Sequence, residues 1–194
     1  MGLYAISKSG EVKQLSAETT RSFTSIVDDA RLRDPNDLDV AADGRIYFTD
    51  STTRYDAHDW ALDSIEGRPT GRLLVYDPKT GETKTLLENY RYANGVCMAH
   101  DGKSLFLAES WACRVHRYWI EGPKAGTAEC VIRDMPGYTD NNNRGSDGKY
   151  WMEWLGERTH SFDLALRQPG VRKDMSRRRR RDEGLVRNIK QGGV

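Results

Sequence analysis

The sequence has only three cysteines, no long hydrophobic run and no excess of either charge. Three cysteines are too few, and odd in number, for a disulfide framework. The 30 Lys and Arg against 29 Asp and Glu leave a net charge of +1, whereas a dedicated nucleic-acid binder is usually strongly basic. No stretch approaches the ~18 apolar residues that predict a membrane span. These absences argue against a disulfide scaffold, a nucleic-acid partner and a membrane-spanning protein.

The N-terminal residues also lack a targeting pattern. The segment MGLYAISKSGEV has no basic stretch followed by a long apolar run, so no signal peptide is visible. This favours a cytoplasmic location. The 194 residues suit one domain, and an apolar content of 37% is compatible with a β-protein whose strands bury one face.

What the sequence does contain is a repeat. Asn36 precedes Asp43-Gly44, Asn94 precedes Asp101-Gly102, and Asp140 precedes Asp147-Gly148, each pair with the same spacing of 7 residues. A short apolar strand follows each Asp-Gly, which is itself a strong hairpin turn signal. The three Asp-Gly pairs lie 58 and 46 residues apart, close to the roughly 40–50 residues of a β-propeller blade. A polar residue at one register of successive blades can converge with its counterparts on the central channel.

The strand pattern predicts about three blades in residues 1–194. The predicted order is a leading hairpin, two four-stranded blades and a third blade that breaks off near Trp154. Residues 155–184 are predicted to form a helical insertion. Propellers close into a ring to protect their sheet edges, so we expect this chain to be part of a longer protein and, on its own, to self-associate.

Four segments together resemble the strictosidine synthase-like branch of the SMP-30/gluconolactonase/paraoxonase superfamily. They are PNDLDVAADGRIYFTDSTTRYD, GRLLVYDPKTGE, YANGVCMAHDGKSLFLAES and MPGYTDNNNRGSDGKYW. The resemblance runs from residue 3 to about residue 192. It implies an all-β fold, a six-bladed propeller of which this chain holds the middle part.

The resemblance also implies a metal site. In metal-dependent members a divalent cation, often Ca²⁺, lies in the channel. The corresponding ligands here are Asn36, Asn94 and Asp140, and the repeat singles out the same three residues. Asp37 and Asn141 are expected to orient these ligands rather than to bind the cation. Oxygen donors of this kind suit a hard cation such as Ca²⁺.

The resemblance is incomplete in two respects. The first-blade Glu ligand of the family and its last-blade catalytic Glu have no counterpart in this chain, so the catalytic residue is unassigned. Asn142 stands where the family usually has an aliphatic residue, which predicts imperfect packing beside Asp140.

Three functions remain open at this point. The preferred one is a metal-dependent hydrolase of a small-molecule lactone or carboxylic ester. The alternatives are a strictosidine synthase-like lyase that needs no metal and a non-catalytic propeller that serves as an interaction scaffold. The five arginines Arg177 to Arg181 could contact phosphate or acidic lipid, but nearby acidic residues favour a solvated helix end.

Overall fold

A computed structural model describes residues 1–20 and 30–179 of the chain. Twelve strands in these residues form antiparallel sheets, and three α-helices and two short 3-10 helices (Ala57–Asp59 and Ser110–Ala112) follow or interrupt them. The strands are β1 (Leu3–Ile6), β2 (Val12–Ser16), β3 (Pro35–Val40), β4 (Ile46–Asp50), β5 (Gly71–Asp77), β6 (Glu82–Tyr90), β7 (Ala93–Met98), β8 (Ser104–Glu109), β9 (Arg114–Trp119), β10 (Ala128–Ile132), β11 (Gly137–Arg144) and β12 (Tyr150–Glu157). The helices are α1 (Trp60–Glu66), α2 (His160–Arg167) and α3 (Pro169–Arg179).

The strand order is that of propeller blades. Strands β3 to β6 form one four-stranded meander and β7 to β10 form the next. The pair β11–β12 is the inner half of a third blade, and β1–β2 is a separate hairpin. This confirms the predicted fold class: two complete blades, a leading hairpin and a partial third blade.

The three Asp-Gly turns have one construction. In each, the Asp carboxylate accepts a hydrogen bond from the backbone N–H two residues later, at 2.9 to 3.2 Å. Each Gly has a positive φ, between 66° and 89°, which glycine adopts without strain. The predicted turn role of Asp43, Asp101 and Asp147 is therefore confirmed.

The apolar core lies between successive blades. Tyr47, Leu73 and Val75 of the first blade pack against Val96 and other buried side chains of the second. The inner strands β3, β7 and β11 lie side by side. A polar side chain at the start of one inner strand is therefore close to its counterparts on the next.

Both complete blades end their second strand on a buried carboxylate. Asp50 of β4 accepts two hydrogen bonds from the Arg72 side chain, at 2.9 and 2.7 Å, and is fully buried. Glu109 of β8 lies 2.9 Å from Nε2 of His116. Each carboxylate also accepts a backbone N–H from the chain entering its blade, that of Arg33 or of Arg91. These links fasten the start of the inner strand to the blade.

The helices cover the end of the blades at which the inner strands start. Helix α1 lies in the connection between β4 and β5, and its Trp60 ring stacks on Trp111 at 6.1 Å. Phe162 of α2 meets Tyr138 edge to face. Sequence patterns missed α1, because residues 51–70 read as a polar insertion, although Ala61 and its neighbours are buried.

The C-terminal helical segment begins later than predicted. Residues 155–157 are the end of β12, and α2 starts at His160 behind a Thr159 cap whose hydroxyl accepts the Phe162 N–H. The predicted segment beyond residue 179, including Arg180 and Arg181, lies outside the described residues. No helix in the described residues is long and apolar enough to cross a membrane.

Candidate functional site

A β-bulge interrupts all three inner strands at the predicted site positions. In each blade two residues of the inner strand face one residue of the second strand: Asn36 and Asp37 face Thr49, Asn94 and Gly95 face Ala108, and Asp140 and Asn141 face Glu153. A bulge bends the strand and re-aims its side chains, and bulges are common beside active sites. The repeat in the sequence therefore marks a repeated backbone irregularity.

Asn94 is the buried centre of this arrangement. Its residue exposure is 1%, and its Nδ2 donates to Ser110 Oγ at 3.0 Å. Its Oδ1 is buried and has no hydrogen-bond donor among the described residues. A buried acceptor without a partner is costly. The position therefore favours a group that an amide oxygen can bind, such as a cation.

Asp140 lies beside Asn94. Burial raises the pKa of the Asp140 carboxyl, and the charges of Glu153 and Asp37 raise it further, while a hydrogen bond from Asn94 lowers it. Asp140 thus carries a half-buried carboxylate that two other carboxylates repel. A cation bound here would relieve that repulsion.

Asp37 has a different set of contacts. Its two oxygens accept the backbone N–H groups of Val96 and Leu38, both at 2.9 Å. The first of these bonds joins β3 to β7. Asp39 repeats the device two residues on, accepting the N–H of Met98 at 2.8 Å. These contacts suit a residue that holds the inner strands in position, and they are compatible with the prediction that Asp37 orients the ligands rather than binds the cation.

The other two predicted residues are less enclosed. Asn36 is exposed in the first bulge, and Asn141 is half-buried in the third. The structure therefore brings Asn94, Asp140 and Asp37 together, and places Asn36 in the equivalent bulge but at the surface.

A single glycine allows the second and third inner strands to approach. A Cβ built on Gly95 would lie 2.5 Å from Asn142 N, 2.6 Å from Asp140 O and 2.7 Å from Asn141 Cα. No side chain fits there unless the backbone moves. Gly95 thus sets the separation of the bulges that carry Asn94 and Asp140.

The donors present fit a hard cation better than a soft one. Within residues 1–20 and 30–179, no three His, Cys, Asp or Glu side chains form a metal-binding group. A cation here would depend on Asn oxygens together with the Asp140 carboxylate, a set that Ca²⁺ accepts and that Zn²⁺ does not favour. The nearby thiol of Cys97 is buried, which raises its pKa to about 12, so it is neither a thiolate ligand nor a nucleophile.

Hydroxyl groups of Thr49 and Ser110 hold the blades in place around these residues. Thr49 Oγ1 donates to the Asn94 carbonyl at 2.7 Å, and Ser110 Oγ donates to the Thr139 carbonyl at 2.5 Å. Sequence reasoning missed both residues, and it also missed Glu153. A bulge has no single-sequence pattern, so nothing indicated that Glu153 would face Asp140.

Two further buried acids lie at the same end of the blades. Burial raises the pKa of Asp34 to about 6, although Tyr92 donates to it. Burial likewise raises the pKa of Asp63 on α1 to about 6, although hydrogen bonds from Thr52 and Trp111 lower it. Trp111 Nε1 donates to Asp63 at 3.0 Å. This bond fastens α1 over the start of the inner strands.

The contacts of Asn142 agree with the predicted imperfect packing beside Asp140. It is 2% exposed, its Nδ2 makes one long bond of 3.4 Å to the Phe106 carbonyl, and its Oδ1 has no partner among the described residues. A buried amide in this state costs stability relative to an aliphatic side chain.

The chain is similar in sequence to strictosidine synthase-like proteins. A family model for strictosidine synthase matches residues 36–123. The Arabidopsis thaliana protein STRICTOSIDINE SYNTHASE-LIKE 13 is 39% identical over 137 residues, which cover 71% of this chain and 34% of that protein. The Adipocyte plasma membrane-associated protein of Salmo salar is 34% identical over 179 residues, covering 89% of this chain and 42% of that protein.

The solved structures support the fold. A gluconolactonase from Xanthomonas campestris superposes with a TM-score of 0.59 at 16% identity, over 80% of this chain and 50% of that chain. The chain spans 34% and 42% of the two curated relatives named above. The chain is thus similar in sequence to strictosidine synthase-like proteins over most of its own length, and it has the fold of about three blades of a β-propeller.

Proposed function

We propose that this chain carries part of the active site of a calcium-dependent hydrolase that acts on lactones or carboxylic esters. The observation that supports this most strongly is the alignment of three β-bulges, which present Asn36, Asn94 and Asp140 at one register of three adjacent strands. The unpartnered Oδ1 of Asn94 adds a buried oxygen donor at the centre of the set.

Each residue has a distinct part in the proposal. The amide oxygens of Asn36 and Asn94 and the carboxylate of Asp140 would hold the cation. Asp37, tied to the N–H groups of Val96 and Leu38, fixes the first bulge against β7. Bound Ca²⁺ would act as a Lewis acid that polarises the ester carbonyl and lowers the pKa of a water molecule. Ca²⁺ takes about six to eight oxygen ligands, so three protein donors leave room for substrate and water.

The strictosidine synthase family match favours a second candidate, a lyase that needs no metal. The two candidates differ in what Asp140 does. In the hydrolase it holds the cation, whereas in the lyase it only contributes to the architecture of the third blade. Chelation therefore separates them.

The test is hydrolysis of a panel of γ- and δ-lactones and aryl esters, with and without a calcium chelator. We expect a version extended on both sides, in which the propeller is complete, to hydrolyse at least one member, to lose this activity on chelation and to regain it with Ca²⁺. Asp140→Ala should lower kcat/KM by at least about 100-fold, the upper range for losing a residue that supports a bound metal. Asp147→Ala, at the exposed turn of the same hairpin, is the matched control and should stay within about twofold of the parent.

Two results would contradict the proposal. One is a panel that the extended protein does not hydrolyse in the presence of Ca²⁺. The other is hydrolysis that neither the chelator nor Asp140→Ala reduces, which would favour the metal-independent alternative.

A further inference from the structure

A cleft of about 400 Å³ lies between α1 and α3, apart from the bulges. Its lining is Glu66, Arg68, Pro169, Arg172, Lys173, Ser176 and Arg177. Ligand pockets of about 300–1,000 Å³ are usual for small molecules. The cleft is therefore large enough for a small ligand.

The charge of this lining is strongly positive. It has four cationic side chains and one carboxylate, that of Glu66. Glu66 is already engaged, since its Oε2 lies 3.1 Å from Nε of Arg54 and 3.7 Å from Nε of Arg68. Lys173 and Arg177 are exposed on the same helix. Four like charges in one cleft repel each other unless an anion joins them.

Arg172 is the residue that turns this charge into a binding site. Its Nη1 donates to the Glu66 carbonyl at the C-terminal end of α1, which fixes the guanidinium between the helices. Its Nε is buried and has no acceptor among the described residues, while Arg172 itself lines the cleft. A guanidinium held in place binds carboxylate or phosphate oxygens through charge-assisted hydrogen bonds.

We propose that this cleft binds a small-molecule oxyanion, through a phosphate or carboxylate group held by Arg172. Lys173, Arg177 and Arg68 surround the anion and supply the remaining charge, and Ser176 supplies a hydroxyl donor. The sequence showed only an arginine run; the structure separates Arg172 and Arg177, which line the cleft, from Arg178, which does not.

The test is calorimetric titration of the whole chain with inorganic phosphate and, separately, with citrate at constant ionic strength. We expect one binding site per chain. Arg172→Gln should weaken binding at least tenfold, because Arg172 is partly buried and held in place. Lys173→Gln should weaken it about threefold or more, because the charge of an exposed lysine is screened by solvent. Arg178→Gln is the matched control on the same helix and should stay within twofold.

Arg172 also holds α3 to α1, so Arg172→Gln could lose binding by disturbing the fold. Lys173 is exposed, so Lys173→Gln tests the cleft without that effect. Equal weakening by Lys173→Gln and Arg178→Gln would overturn the proposal, because it would show that the positive charge of α3 attracts anions without a specific site. So would binding to phosphatidylserine vesicles with no binding of phosphate or citrate. These variants leave the bulge residues unchanged, so either outcome is independent of the proposed hydrolase.

Discussion

Replacing Arg72 by methionine is expected to lower the free energy of unfolding by about 3–5 kcal/mol, the range for removing one partner of a buried ion pair. The Arg72 side chain is 2% exposed and its partner Asp50 is fully buried. Oδ1 of Asp50 also accepts the Asp34 N–H at 2.7 Å. The variant therefore leaves a buried carboxylate without its cation at the point where the inner strand of the first blade begins.

The loss should depend on pH in a defined direction. Burial raises the pKa of the Asp50 carboxyl above its ordinary 3.8, and Arg72 opposes that rise. Without Arg72 the folded-state pKa rises further, so the folded state holds a proton that the unfolded state releases. The deficit relative to the parent should then be smallest at acidic pH and should grow as the pH rises from the folded-state pKa of Asp50 in the parent, itself above 3.8, towards the higher folded-state pKa in the variant.

Urea unfolding of parent and variant at pH 5 and pH 7.5 measures both effects. Arg45→Met is the matched control, because Arg45 and Asp43 form an ion pair whose side chains are 36% and 44% exposed. Exposed pairs contribute about 0–1 kcal/mol. If Arg72→Met cost no more than Arg45→Met, Asp50 would not depend on Arg72 in the way the structure shows.

Gly95→Ala is expected to be the most damaging small change near the candidate site. The added methyl group would meet the backbone of the third bulge at 2.5 to 2.7 Å, with no flexible side chain to move aside. We expect a loss of about 3 kcal/mol, at the upper end of the usual cost of overpacking. Because Gly95 separates the bulges of Asn94 and Asp140, any calcium affinity should fall with it.

Gly156→Ala is the control for this change. Gly156 lies in β12, and a Cβ there would meet nothing within 4 Å. It should leave both the melting temperature and calcium binding close to those of the parent. A Gly95→Ala variant as stable as Gly156→Ala would show that β7 and β11 do not pack as closely as described.

Local patterns were enough to predict most of the strands. Asp-Gly turns determine where a hairpin reverses, because the Asp carboxylate and a glycine with positive φ act within four residues. The strands Ile46–Asp50, Ser104–Glu109 and Tyr150–Glu157 each follow such a turn, as the sequence predicts. The spacing from Asn36, Asn94 and Asp140 to those turns predicted that the three residues share one register, but it did not predict the bulges found there.

The parts that sequence patterns missed depend on distant contacts. Helix α1 is stabilised by the hydrogen bond from Trp111 to Asp63 and by stacking of Trp60 on Trp111. Trp111 lies 48 residues beyond Asp63 in the chain. The orientation of Asp37 towards Val96 likewise spans 59 residues. Periodicity within a short window contains no information about such contacts.

A calcium titration by calorimetry tests the central claim, that the three bulges form a cation site. The claim predicts that the parent binds Ca²⁺ and that Asp140→Asn, which removes one charge with little change of shape, weakens binding at least about tenfold, or 1.4 kcal/mol. The same change at the exposed turn, Asp147→Asn, should stay within twofold. Equal calcium affinity in the parent and in Asp140→Asn would contradict the claim.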